Sequence, residues 1–220
     1  MEKNDGIRAH DEHASEYDRE ARETGWFGPE VLFGLCFEYV TPHERLLDIG
    51  IGTGLASLPF ARAGLDVFGI DGSAEMLGIC RSKDFAEDLR EFNLRDMPLP
   101  YSDGFFDDVI CCGVFHLIGD PEPVFKEVSR VIKPGGIFAF NVLVETPEKG
   151  AGVVSHSPQG YSEIISDWSV PVFMHSGGYI KKLLHGSGFD RLKELKFLVR
   201  GLHEGTDDLA CAYVTWRTVV

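Results

Sequence analysis

Long hydrophobic runs are missing from this sequence. No apolar stretch approaches the roughly 18 residues that cross a bilayer, and the longest, residues 109–118, carries His116 in its interior. Residues 1–30 are too acidic for a secretory signal or a transit peptide, which points to the cytoplasm and to no membrane partner. Basic residues are scarce. Only 21 Lys and Arg are scattered among 35 Asp and Glu, for a formal net charge of −14. A polyphosphate backbone would be repelled over most of such a surface, so a nucleic-acid partner is not expected. Cysteine is sparse and odd in number at five, with no CxxC pair and no Cys/His cluster at zinc-ligand spacing. Cys111 and Cys112 sit side by side in an apolar segment, where strand alternation sends them to opposite faces as core thiols. No Walker string G-K-[ST] is present either, which removes the usual phosphate-binding loop.

What is present is alternation of short β-type runs with helical patterns. Residues 45–49, 66–70, 89–92, 108–112 and 136–142 each read as a buried strand. The clearest helix starts after Asp120, an N-cap, with Pro121 at the first helical position, and stops at "KPGG". Such alternation means right-handed crossovers and a mainly parallel sheet covered on both sides. In residues 7–23, His10, Ala14, Tyr17 and Ala21 share one stripe of a polar helix, which suits a helix lying across something. After Val144 the pattern lapses for about thirty residues, and a loop that long in one domain is usually functional or mobile. Ser176 then caps a short helix, and two β-rich runs, 191–200 and 209–218, form a hairpin that makes the last strand antiparallel. The expectation is one domain over residues 1–220. Within it, 1–30 form an N-terminal lid, 45–143 a ligand-binding core, 145–175 a substrate-side insert, and 176–220 the final helix and hairpin.

The stretch "LLDIGIGTG", residues 46–54, places Gly50, Gly52 and Gly54 directly after the first strand. In an open α/β sheet this turn borders the crevice where ligands bind, and glycine lets a ligand approach the backbone. The next helix is expected to begin near Thr53, with Pro59 inside it bending it by the loss of a hydrogen bond. Two details choose the ligand. A dinucleotide fingerprint reads G-x-G-x-x-G, whereas the pattern here is D-x-G-x-G-x-G with Asp48 close to the crevice. A carboxylate there opposes a pyrophosphate and suits an ammonium or sulfonium group. Asp71 ends the second strand about twenty residues further on, where an acid can accept from both hydroxyls of a ribose.

With those residues in view, the chain resembles the class I S-adenosylmethionine-dependent methyltransferases, of the UbiE-like or methyltransferase type 11 kind, from about Arg45 to Phe140. "LLDIGIGTG" is similar to the family's first motif and "GIDGSAEML" to its acidic loop and helix. The stretch from "FNLRDMPLP" to "KPGGIFAF" is similar to the run from the adenine loop to the fifth strand. The resemblance implies a doubly wound, mainly parallel seven-stranded sheet with an antiparallel last strand, and S-adenosyl-L-methionine as cofactor. It implies that Gly50 and Gly52 give backbone to the methionine part and that Asp48 helps hold its ammonium. Asp71, beside Gly72, would bind the ribose, and Met76 would pack on the adenine. Asn93 stands where the family usually has Asp; with the Leu94 amide it would bind the adenine edge. The Cys112 carbonyl would accept from the ammonium, and Tyr17 and Trp26 would belong to the lid.

Methyl transfer from a sulfonium displaces an already activated group. Alignment contributes about 7–11 kcal/mol to such a step, while a positioned base adds about 10²–10⁴-fold. His116, after the fourth strand, and His175, at a helix N-terminus that favours the neutral ring, are the candidate bases; packing is the alternative for both. Tyr161, Trp168 and Phe173 would line an acceptor pocket or fasten the long loop. Asp107 and Asp108 face opposite ways on a strand, so no metal site is expected. The N/D-P-P-Y/F string of many amino-group methyltransferases is replaced by "CCGVFH". The reading is methyl transfer to a small neutral or cationic acceptor at O, N or C, by a monomer or homodimer. A cofactor-binding regulator or subunit without transferase activity is the rival.

Overall fold

The computed structural model describes residues 5–144, 153–166, 171–200 and 206–219. Its parallel strands are β1 (Arg45–Ile49), β2 (Asp66–Asp71), β3 (Ala86–Glu91), β4 (Asp108–Cys111) and β5 (Ile137–Val144), in the order β3-β2-β1-β4-β5. β10 (Asp207–Arg217) runs antiparallel along β5, and β9 (Phe189–Arg200) antiparallel along β10. These seven strands reproduce the expected sheet with its antiparallel last strand. β1 lies between β2 and β4, so the strand order reverses there and opens a crevice beyond the carboxyl ends.

Alternation along the central strands feeds two cores. Leu47, Ile49, Val109 and Phe138 face α5 (Glu122–Val131) and α6 (Gly177–Gly186). Leu46, Val67, Ile110 and Ala139 face α2 (Gly28–Cys36), α3 (Leu58–Arg62) and α4 (Ala74–Ser82). Cys111 lies in the first core and Cys112 packs against the second, as their adjacency requires. Helix α1 (Asp5–Glu23) rests on α4, and α2 buries Leu32 and Cys36 in the body.

Three expectations need correction. Helix α3 begins at Leu58, five residues later than Thr53, because Gly50, Gly52 and Gly54 all adopt positive φ and the turn runs on to Ser57. Pro59 consequently occupies the first turn of α3, where its missing N–H has no partner to lose, and it bends nothing. The stretch 145–175 is not a plain loop. Its described residues form a meander of β6 (Val153–His156), β7 (Tyr161–Ile165) and β8 (Pro171–His175), which brings the sheet to ten strands. β8 pairs in parallel with β5 at Leu143 and Val144, past the last β4 pairing at Phe140. β5 outruns β4, and the exposed edge recruits a new strand. Trp168 lies outside the described residues.

Asp107 turns outward to Lys133 and the Arg45 amide, while Asp108 turns inward. Asp108 Oδ1 accepts from the Ile137 amide at 3.0 Å; Oδ2 is buried without a partner. Burial, with the nearby Glu44 carboxylate, pushes this carboxyl up to about 7. A carboxyl whose folded pKa exceeds its unfolded value holds its proton better when folded. Its stabilising contribution is therefore full below about pH 4 and is lost as pH rises to about 7. Asp108→Asn keeps the acceptor and removes the titration. Its thermal midpoint should exceed the wild type's by roughly 4 °C or more at pH 8, with the gap closing toward pH 4. An equal gap at both pH values in calorimetric scans would contradict this account.

Candidate active site

The glycine turn after β1 is shaped by its own backbone. Gly50, Gly52 and Gly54 have φ of 74°, 55° and 87°, a region in which a side chain is strained. The Gly50 and Ile51 amides both donate to the Ile70 carbonyl, at 2.8 and 3.1 Å, and the Gly54 amide donates to Ile51 at 2.8 Å. The Gly52 amide donates to Asp71 Oδ2 at 2.8 Å. The Gly50 and Gly52 amides are therefore spent inside the fold, although both residues border the crevice. A β-carbon on Gly50 would collide with Val114, and one on Gly54 with Phe85. Around Gly52 the space is open.

The two acids hold different positions. Asp71 Oδ1 accepts from the Ser73 amide at 2.8 Å while Oδ2 takes Gly52, so one carboxylate ties the first turn to the start of α4. Each oxygen keeps a second lone pair for a ligand hydroxyl. Desolvation raises the Asp71 pKa and the two amides oppose that rise. Asp48 is 1% exposed and lies beneath the turn, with Oδ2 buried and unpartnered. Desolvation pushes it up to about 7. A carboxylate with one buried, unpartnered oxygen beside this turn is complementary to a positive group arriving there, since such a group favours the ionised form.

A cavity of about 870 Å³ opens over this turn, at the upper part of the range for small-molecule sites. Tyr17, Trp26, Gly50, Gly52, Asp71, Gly72, Met76, Asn93, Leu94 and Cys112 all line it. Asp48 acts from below and is not part of the wall. Asn93 Oδ1 accepts the Arg95 amide at 3.0 Å, which fixes the orientation of its side-chain amide. Arg95 is the one guanidinium or ammonium among the described lining residues, a donor set that fits a nucleoside bearing a cationic amino acid better than a polyphosphate. Helix α1 closes the top through its own acids. Asp11 accepts from the Ser73 hydroxyl at 2.6 Å; Asp18 accepts from Thr53 Oγ1 at 2.5 Å and from Lys83 at 2.6 Å. Ile7 fills the space above Gly72, and burial raises the Tyr17 phenol above its usual range.

The two candidate bases are not brought to the cavity wall. His175 is fully buried, with Nε2 against the Ile118 and Gly119 carbonyls at 3.0 and 3.1 Å and Nδ1 unpartnered. Two carbonyl acceptors at Nε2 fix the proton there, and desolvation pushes the ring down to about 4. Burial keeps the ring neutral, but its proton is committed to backbone. His116 is also pushed down to about 4, by desolvation and then by the neighbouring His10 and His175. Sequence reasoning missed three participants. His10 reaches the cavity from α1, and Glu163 from β7. Asn141 accepts the Gly113 amide at 2.8 Å and so positions the turn after β4. The stripe containing His10 was visible in sequence; nothing local marked Glu163 or Asn141. Gly50→Ala combines a positive φ with a collision, whereas Gly52→Ala carries the strain alone. In thermal unfolding Gly50→Ala should lose about 1–3 kcal/mol more than Gly52→Ala, and an equal or reversed loss would mean the turn is built otherwise.

A family model described as a methyltransferase domain matches residues 47–140. A demethylmenaquinone methyltransferase of Renibacterium salmoninarum is 36% identical over 95 residues, covering 43% of this chain and 39% of that protein. A ubiquinone biosynthesis O-methyltransferase of Xanthomonas oryzae pv. oryzae is 30% identical over 152 residues, covering 61% of this chain and 63% of that protein. The chain thus spans less than two thirds of the length of these curated relatives. The crystal structure of a SAM-dependent methyltransferase from Methanosarcina mazei superposes with a TM-score of 0.68 at 18% identity, over 86% of this chain and 99% of that one, a likeness of fold. The matched segment holds the glycine turn, Asp71, Asn93 and Cys112, the same residues that gather around the cavity. Residues 47–140 are thus similar to a methyltransferase domain, and the relatives that match this chain are named as methyltransferases.

Proposed function

We propose that this protein transfers the methyl group of S-adenosylmethionine to a small-molecule acceptor in the cytoplasm. The observation that carries the reading is the continuity of the cavity. It starts at Gly50, Asp71 and Asn93, passes Cys112 and Gly113, and continues to Pro171 and Phe173 on the insert, well beyond what a nucleoside site alone requires. The relatives named for menaquinone and ubiquinone biosynthesis act on small molecules, which supports that class of acceptor. The extended second half of the cavity favours transfer over a purely regulatory binding role.

S-adenosylmethionine supplies an activated methyl group on a sulfonium. The chain's own residues bind, orient and exclude water. Asp71 would accept from the ribose hydroxyls while still holding the Gly52 and Ser73 amides, so the carboxylate is positioned before the ligand arrives. Met76 and Leu94 would pack on the base, and Asn93 would accept from its amino group. The bare Gly50 and Gly52 would let the amino-acid part settle over Asp48, whose burial strengthens attraction to a positive group. Tyr17, Trp26 and Ile7 close the site from α1 and its following turn, which keeps water from competing as nucleophile. His116 and His175 stay neutral near physiological pH, and His175 braces the turn after β4 through the Ile118 and Gly119 carbonyls.

Asp71→Ala should weaken S-adenosylhomocysteine binding at least about tenfold in calorimetry, and unchanged affinity would refute the ribose assignment. Cofactor binding near pH 7 should also release about half a proton, since Asp48 titrates near 7 when empty and ionises beside a cation. Titrations in buffers of different ionisation heat measure that release. Asp48→Asn should abolish it, and affinity in the wild type should rise through pH 6–8 with a slope the variant lacks.

A further inference from the structure

The insert presents two unlike faces. Ile164, Val172 and Met174 are buried in a core with Leu143, Val199 and Ala210. The alternate positions Glu163, Pro171 and Phe173 line the cavity. Glu163 on β7 stands directly opposite Phe173 on β8, so carboxylate and ring share one face at neighbouring sites. Ser155, the partner of Glu163 on β6, donates its hydroxyl to Glu163 Oε2 at 3.2 Å and steadies the carboxylate there. Tyr161 meets the Phe173 ring edge-on at 5.9 Å. Both rings sit against Gly119, where a β-carbon would come within 3.0 Å of each, so the glycine makes room for them at the end of the turn after β4.

This end of the cavity lies on the β4–β5 side, away from Asp71 and Asn93. Its remaining walls include Leu117, Ile118, Pro123 and Val124, all apolar. The lining guanidinium, Arg95, is next to Asn93 at the far end, and the other acid nearby, Asp120, is held by the Tyr179 hydroxyl at 2.6 Å. Glu163 is half-buried at this otherwise largely apolar end of the cavity, and a carboxylate beside an aromatic ring attracts cations. The chain's net charge of −14 draws cations toward any opening.

We infer that the methyl acceptor carries an ammonium group, seated between the Glu163 carboxylate and the Phe173 ring, and that a different atom of the same molecule receives the methyl group. This rests on the methyl-transfer reading. A protonated nitrogen has no lone pair to form a bond to carbon, so the anchored group orients the acceptor while its nucleophilic atom faces the other way. The acceptor class is a small bifunctional molecule, cationic at one end and nucleophilic at the other.

Calorimetry on the full chain loaded with S-adenosylhomocysteine tests this with three probes of matched shape: 2-phenylethylammonium, 2-phenylethanol and 3-phenylpropanoate. The ammonium should bind roughly tenfold or more tighter than the alcohol, with the carboxylate weakest. Glu163→Gln should bring the ammonium down to the alcohol's affinity. Phe173→Leu, which keeps apolar bulk, should weaken the ammonium about threefold and leave the alcohol nearly unchanged. Neither substitution should alter S-adenosylhomocysteine affinity. The inference is overturned if the alcohol or carboxylate binds as tightly as the ammonium, if the preference survives Glu163→Gln, or if none of the three binds. Failure of the wild-type chain to bind S-adenosylhomocysteine would instead overturn the methyl-transfer reading, and this inference with it.

Discussion

One carboxylate holds the ligand end of this fold together. Asp71 closes β2, and its two oxygens take amide protons from Gly52 on the first turn and Ser73 at the head of α4. Turn and helix would otherwise separate, because a chain of positive-φ glycines has little to keep it in one shape. Ser73 then spends its hydroxyl on Asp11 of α1 while that same oxygen caps the Met76 amide. The lid, the helix and the turn thus meet at two adjacent polar residues. A carboxylate already satisfied twice is rigid, and a rigid acceptor loses little entropy when a ligand hydroxyl joins it.

Opposite that cluster, the molecule uses a different material. The wall beyond the turn after β4 is made by the insert, whose polar and apolar residues alternate so that one face joins a core and the other faces the cavity. Gly119 is the joint, small enough for the rings of Tyr161 and Phe173 to press on the turn. His175 braces the same joint from behind by donating to the two carbonyls that precede Asp120. Its burial explains why a residue that looks like a base in sequence serves as a strut: an imidazole with its proton committed to backbone and no path to the cavity cannot exchange it with a bound molecule.

The buried acids impose a cost that the site turns to use. Asp48 and Asp108 both sit in the sheet with an oxygen unpartnered, and both are pushed up to about 7. Asp108 is far from the glycine turn and faces Glu44, so its strain has no ligand to relieve it. Asp48 lies under the turn, where a positive group above would restore its charge. Two residues of the same type in similar burial therefore differ in meaning through what each faces.

Local sequence determined the parallel core. Most apolar runs of strand length, Ser176 before α6 and the D-x-G-x-G-x-G turn are short-range patterns that appeared where the pattern placed them. Helix α5 instead starts at Glu122 with Pro121 rather than Asp120 as its N-cap, and β3 starts at Ala86 and is only partly buried. The ligand class followed too, because an acid before bare glycine is a statement about charge that needs no coordinates. Tertiary structure alone decided the rest. The glycine amides turn inward because Ile70 and Asp71, distant in sequence, supply their acceptors. The segment after Val144 became sheet because β5 outruns β4 and leaves an edge to be paired, a fact about two strand lengths compared in space. The histidines lost the cavity, and Glu163 gained it, through which face of a neighbouring element each one met. Periodicity states what a residue is next to along its own element; what it faces across a gap is settled only when the elements pack.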